Sequence, residues 1–263
     1  MDPTPKKNLG QHYLKDTSVM TKIFADRPSK AESIVEIGPG PGTLTRNLAQ
    51  MNLPFLAIEM DERFRGPLCD FLREEQLLFA DALEVDWAQV LQNKKAIWLV
   101  SNLPYNVASP LLINFLQVDA FSFMTLMFQK EVGEKMLITG SRNEMNSLAA
   151  LVNTWFSARL LVKIPPGAFL PPPKVDSVAI SFTRLENPLL PLSSFDHFES
   201  FVRKAFAGKR KQLQTVLKAN FAKDLLFKAF EETKIPPAIR AEALSLTQVH
   251  ALYSALYKSR INS

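Results

Sequence analysis

The chain has 263 residues, of which 47 % are hydrophobic and 22 % charged, and its formal net charge is +5. This is the composition of a soluble globular protein, long enough for one large domain with a small appendage. A single cysteine, Cys69, excludes an internal disulfide and fits a reducing compartment. No apolar run reaches the roughly 18 residues of a membrane span, and "MDPTPKKNLGQ" lacks the apolar core of a signal peptide. The expectation is a cytoplasmic protein.

The charge is unevenly spread. Residues 187–263 hold 12 Lys and Arg against 6 Asp and Glu, a balance of +6, and residues 1–186 carry −1. A basic segment beside a near-neutral one suits a polyanionic partner or, equally, a solvated basic face.

In chain order, residues 1–20 are polar and read as an arm or loop. "SIVEIG" (33–38), "FLAIE" (55–59), "LLFAD" (77–81), "AIWLVSN" (96–102) and "FSFMTLMFQ" (121–129) read as strands. "LTRNLAQM", "RFRGPLCDFLREE" and "PLLINFL" read as helices between them, with Cys69 buried beside Leu68. Alternation at this spacing predicts a parallel sheet covered by helices on both faces, whose strands need not alternate in polarity. Two further helices, "KEVGEKML" and "SLAALVNTW", precede late strands at 158–164 and 177–185, expected antiparallel at a sheet edge. "ENPLLPLSS" (186–194) reads as a linker, and from Phe195 the chain is helical and basic. The predicted boundary therefore divides 1–186 from 187–263.

The strand ends carry the chemistry. The first runs into Gly38-Pro39-Gly40-Pro41-Gly42, with a helix starting near Thr43. Glycines there allow sharp turning and close ligand approach, although a tight turn without a ligand reads the same way. The spacing departs from the G-x-G-x-x-G dinucleotide fingerprint and suits a nucleoside without phosphates. The second strand ends in Glu59, placed to accept from both hydroxyls of a ribose, or else a surface carboxylate next to Asp61 and Glu62. The third ends in Asp81, an acceptor for an adenine amino group or an N-cap. The fourth ends in Asn102. Ligands bind at the carboxyl ends of strands in open α/β sheets, so these residues would converge. The pattern contains no His/Cys metal set, no Ser-His-Asp array and no P-loop lysine. It points to adenosine binding, with S-adenosylmethionine the natural candidate.

"NLPY", Asn102 to Tyr105, follows that fourth strand. The Asn102 side-chain oxygen and the Leu103 main-chain carbonyl could accept both N–H bonds of an exocyclic adenine amine. That would favour a pyramidal nitrogen with its lone pair exposed. Pro104 stiffens the turn and Tyr105 can stack on the base. The bland reading is a strand-ending turn with a buried tyrosine.

With "VEIGPG", "NLPY", "KKNLGQHYL" (6–14), "EMD" (59–61), "DAL" (81–83), "FQKEV" (128–132), "PPGAFLPPPKVDS" (165–177) and "FVRKAFAGKRKQL" (201–213), most of the chain resembles the adenine dimethyltransferases of ribosomal RNA. "NLPY" and the proline-rich segment resemble the small-subunit branch rather than the Erm-like enzymes of large-subunit RNA. The resemblance implies a Rossmann-like class I methyltransferase domain with a seven-stranded, mostly parallel sheet and a small helical C-terminal domain. It implies that His12, Leu14, Gly38, Gly40, Glu59, Asp81 and Asn102 contact S-adenosylmethionine. Asn102 and Tyr105 would serve the target base, and Phe169 would close its other face, as flipped bases are held. His12 could equally be an exposed arm residue, and Phe169 a core aromatic. Lys6, Lys7, Arg203, Lys204, Lys209, Arg210 and Lys211 would grip RNA phosphates. The implied substrate is a pair of adjacent adenosines in the 3′-terminal hairpin of small-subunit RNA, free or in a pre-30S particle, met by a monomer. Tyr13 stands for the usual phenylalanine, "NEMNS" (143–147) for a Tyr-Gly pair, and "GKRK" for an Arg-Arg-Lys core. The alternatives are an Erm-like methylase and a non-catalytic nucleic-acid-binding factor on the same fold.

Overall fold

Every residue of the strand Ser33–Ile37 is buried, as expected of a strand with neighbours on both edges and helices on both faces. The computed structural model describes residues 3, 10–92, 94–138, 145–208 and 210–261, the last four by backbone only. The strands are β1 (Tyr13–Leu14), β2 (Ser33–Ile37), β3 (Phe55–Glu59), β4 (Leu77–Phe79), β5 (Ile97–Asn102), β6 (Phe121–Gln129), β7 (Phe156–Ile164), β8 (Phe169–Leu170) and β9 (Ser177–Arg184). Seven form one sheet in the order β4-β3-β2-β5-β6-β9-β7, while β1 pairs with β8. Pairing from β4 through β6 is parallel, and β9 runs antiparallel to β6. This is the expected Rossmann-like sheet, with the two late strands at one edge.

The helices are α1 (Thr17–Ala25), α2 (Thr45–Leu48), α3 (Arg65–Cys69), α4 (Trp87–Leu91), α5 (Ala108–Leu116), α6 (Lys130–Glu134), α7 (Ser147–Trp155), α8 (Phe195–Ala205), α9 (Leu213–Leu217), α10 (Lys223–Thr233) and α11 (Leu246–Ile261). No described helix is long and apolar enough to cross a membrane. Three sequence expectations need correction. The arm ends sooner than residue 20: Asp16 caps α1 by accepting from the Ser18 and Val19 N–H groups. Cys69 is exposed, because it closes a helix of only five residues whose buried contact is Leu68.

The third concerns the boundary. The chain divides into two compact units, one of 1–134 with 158–184 and one of 135–157 with 185–263. The cut near 185 lies where the composition changes, but 135–157 joins the C-terminal helices. Trp155 explains this. Its ring packs 4.8 Å from Phe195 and 5.7 Å from Phe198, in an aromatic core that continues through Tyr253. His250, held low at about 4 by burial, bonds Thr154 in the same core.

Within the first unit, α1, β2 and β3 share a core with Leu14, Trp98 and Phe169. Trp98 donates to the Thr125 hydroxyl at 2.8 Å, Thr125 donates to Asp26 at 2.6 Å, and Arg159 closes the chain on Asp26. A polar relay through an apolar core fixes register where packing alone would allow slippage.

Candidate active site

β4, β3, β2 and β5 are adjacent and parallel, so their carboxyl ends lie side by side. A cleft of about 170 Å³ opens there. It is lined by Gly38 and Gly40 after β2, Glu59 at the end of β3, Asp81 after β4, and Asn102 to Tyr105 after β5. His12 on the arm completes it.

Gly38 and Gly40 adopt φ of +67° and +54°, which L side chains rarely occupy. A Cβ on Gly38 would meet nothing within 4 Å, whereas one on Gly40 would press on the Tyr13 ring at 3.0 Å. The turn is thus shaped on one side by the arm and open on the other. The Gly40 N–H donates to Glu59 Oε2 at 2.9 Å and the Asp61 N–H to Oε1 at 2.8 Å. These two bonds fix the carboxylate plane and leave each oxygen room for another donor. Burial raises the Glu59 pKa, and the two N–H groups oppose that rise. Next to it, Arg63 grips Asp61 and holds its carboxyl at about 2. Gln11 reaches the same carboxylate, and Tyr13 donates to Gln11 at 2.9 Å, so the arm is tied to the end of β3.

Asp81 accepts from the Leu83 N–H at 2.9 Å as a cap, and it also lines the cleft, as do Met60 and Leu83, whose side chains are exposed. Asn102 uses its amide nitrogen on the His12 carbonyl at 2.6 Å, leaving Oδ1 to accept. The His12 ring lies 5.5 Å from that of Tyr105 at 24°, and its Nδ1 donates to the Pro171 carbonyl at 2.8 Å. The Tyr105 hydroxyl meets Ser177, which is fully buried, at 2.6 Å.

Two expected site residues lie elsewhere. Phe169 is fully buried, paired through β8 with β1, and does not line the cleft. Its ring belongs to the core because Leu170, the next residue, takes the solvent side of the two-residue strand. Leu14, opposite Phe169 in that pairing, is also core, although it borders a smaller crevice with Gly38 and Asn102. Of the basic residues, Arg203 and Lys204 sit in the last turn of α8, with Arg203 3.8 Å from Glu199. Arg210 and Lys211 are exposed. Lys6, Lys7 and Lys209 lie outside the described residues, as do Asn143 and Glu144 of the "NEMNS" segment.

Sequence reasoning passed over Glu36. It is 2 % exposed at the crevice, and the side chain near enough to bond it is that of the equally buried Thr45. A carboxylate inside the apolar run "SIVEI" was the available signal. Burial pushes its pKa up to about 8; a hydrogen bond from Thr45 opposes that rise, and the charge of Glu59 adds to it. The folded state therefore binds the Glu36 proton more tightly than the unfolded chain does. Stability is fully present below about pH 4.5 and falls as pH rises toward 8. Glu36→Gln is expected to lose roughly 2–3 kcal/mol less than wild type between pH 5 and pH 8, read from urea midpoints. Parallel losses in both proteins would contradict this.

A seven-stranded sheet with a glycine turn, a strand-end carboxylate and an amide elbow around one cleft defines a methyltransferase of the Rossmann-like class. Residues 4–258 match the family model described as ribosomal RNA adenine dimethylase, and the chain belongs to that family. It is similar to the ribosomal RNA small subunit methyltransferase A of Clostridium botulinum strain Langeland, 37 % identical over 95 % of this chain and 94 % of that one. A crystal structure of a dimethyladenosine transferase from Plasmodium falciparum covers 92 % of this chain and 96 % of its own, with TM-score 0.74 and 25 % identity. The 23S rRNA methyltransferase ErmE shares the fold, with TM-score 0.67 and 22 % identity over 93 % of this chain and 99 % of its own. The chain is an S-adenosylmethionine-dependent ribosomal RNA adenine dimethyltransferase.

Proposed function

We propose that this chain dimethylates the N6 amines of two adjacent adenosines in the 3′-terminal hairpin of small-subunit RNA, acting in the cytoplasm as a monomer on a pre-30S particle. The supporting observation is the pairing, in one cleft, of the fixed Glu59 carboxylate with the free oxygen of Asn102. The residues present suit the methyl donor. Gly38 leaves open space, Glu59 keeps acceptor capacity for ribose hydroxyls, and Asp81 in the same cleft would accept from an adenine amino group.

When bound, the donor supplies an electrophilic methyl group on a sulfonium. The protein's part is to orient the acceptor. Asn102 Oδ1 and the Leu103 carbonyl hold the amine's two hydrogens, which turns its lone pair out of conjugation with the ring. Held this way, the nitrogen lone pair would face the donor's methyl group, and the proton released on alkylation would pass to water. Pro104 stiffens the elbow, and Tyr105 offers its face to the base. Arg203, Lys204, Arg210 and Lys211, with Lys6, Lys7 and Lys209, are assigned to phosphate contacts, and unpaired bases supply selectivity. The test is tritium transfer from labelled S-adenosylmethionine onto under-methylated small subunits and onto large subunits. Label confined to small subunits is expected, whereas preferential labelling of large subunits would move the enzyme to the Erm-like reading.

A further inference from the structure

We propose that Leu170 is a wedge that enters the stack of the substrate RNA and fills the space the target adenine leaves. This rests on the adenine-methylating reading and goes beyond it, because Leu170 does not line the cleft. An adenine must leave its stack before its amine can reach Asn102, and its former neighbours then turn their faces to water. Apolar side chains, leucine among them, fill such gaps between base steps. Leu170 is 59 % exposed. One exposed leucine means little by itself, so its mounting decides the matter.

The backbone is held on both sides of it. Phe169, just before, is fully buried in the core, and the Ala168 carbonyl accepts from the Lys15 N–H at 2.8 Å. Just after, the Pro171 carbonyl bonds His12 Nδ1 at 2.8 Å. Pro171, Pro172 and Pro173 follow in a row, each ring fixing its own φ, and Pro173 is buried. The leucine side chain therefore projects from a stiff mount. In the β1–β8 pairing Leu170 stands opposite Tyr13. Opposed residues share one face of a ribbon, and Tyr13 lines the cleft, so Leu170 stands on the cleft side. Val175, 45 % exposed, adds a second apolar side chain to the same loop. Lys15 and Lys174 are exposed next to this segment, as is the carboxylate of Asp176. An apolar tip flanked by two lysines fits a nucleic-acid strand, with base faces for the leucine and phosphates for the cations.

The experiment compares wild type with Leu170→Ala, Leu170→Met and Leu170→Lys. It measures single-turnover transfer at saturating donor and saturating under-methylated small subunits, subunit affinity, donor affinity and unfolding midpoints. A wedge acts after binding, so its loss slows the saturated rate. Leu170→Ala is expected to lose about five- to a hundred-fold in that rate, the range of one base-stacking contact, with subunit affinity within about two-fold. Leu170→Met keeps apolar bulk and should stay within about three-fold. Leu170→Lys should bind subunits at least as tightly as wild type and transfer as slowly as Leu170→Ala. Donor affinity and midpoints should match wild type throughout, since the side chain lies in neither cleft nor core. An unchanged rate in Leu170→Ala would overturn the proposal, as would wild-type transfer by Leu170→Lys. So would a loss confined to subunit affinity, the mark of an ordinary surface contact, or one matched by a fall in donor affinity or midpoint. A wild-type protein that transfers nothing to either subunit would overturn the underlying reading, and this proposal with it.

Discussion

Asn102→Ala is expected to lower single-turnover methyl transfer by about 10²–10³-fold, the range seen when one pre-organised hydrogen-bonding group is removed from a transition-state site. Two roles end together. The oxygen that would accept from the amine is lost, and the His12 carbonyl loses its 2.6 Å partner. Fold stability should change little, because Asn102 is only half-buried at a strand end. Asn102→Asp separates the roles. It keeps an acceptor oxygen but sets a second oxygen against the His12 carbonyl, so only part of the rate should return. Full activity in Asn102→Ala would contradict the assignment.

Phe169→Ala is expected to destabilise the protein by about 3–5 kcal/mol, as for other fully buried aromatics cut to a methyl. Phe169→Leu should be far milder, since the volume is largely kept. The telling comparison is activity per folded molecule. A core residue replaced by leucine leaves kcat and the subunit KM near wild type, whereas a stacking residue would lose transfer while the protein stayed folded. Denaturant titration together with initial rates on both variants separates the two outcomes.

The sheet was legible because its strands are short apolar runs ending in glycine or polar residues, and Glu59, Asp81 and Asn102 follow from that pattern alone. Side-chain direction was not. In the two-residue strand Phe169–Leu170, a one-residue shift exchanges core and solvent faces, and nothing in "GAFLPPP" says which residue turns inward. The arm was misjudged because Asp16 as a cap is a local signal hidden in a polar stretch. The place of α7 depended on Trp155 meeting Phe195, a contact forty residues distant that no local pattern encodes. His12 facing Tyr105 is likewise a tertiary fact, though both residues had been singled out for chemistry.

The most direct test measures single-turnover transfer at increasing donor concentration for Glu59→Gln and Asn102→Ala. If Glu59 grips the donor and Asn102 the acceptor in one shared cleft, saturating donor should restore Glu59→Gln to near the wild-type rate and leave Asn102→Ala slow. A Glu59→Gln rate that stays depressed at saturation, or an Asn102→Ala rate that recovers with more donor, would contradict that division of labour.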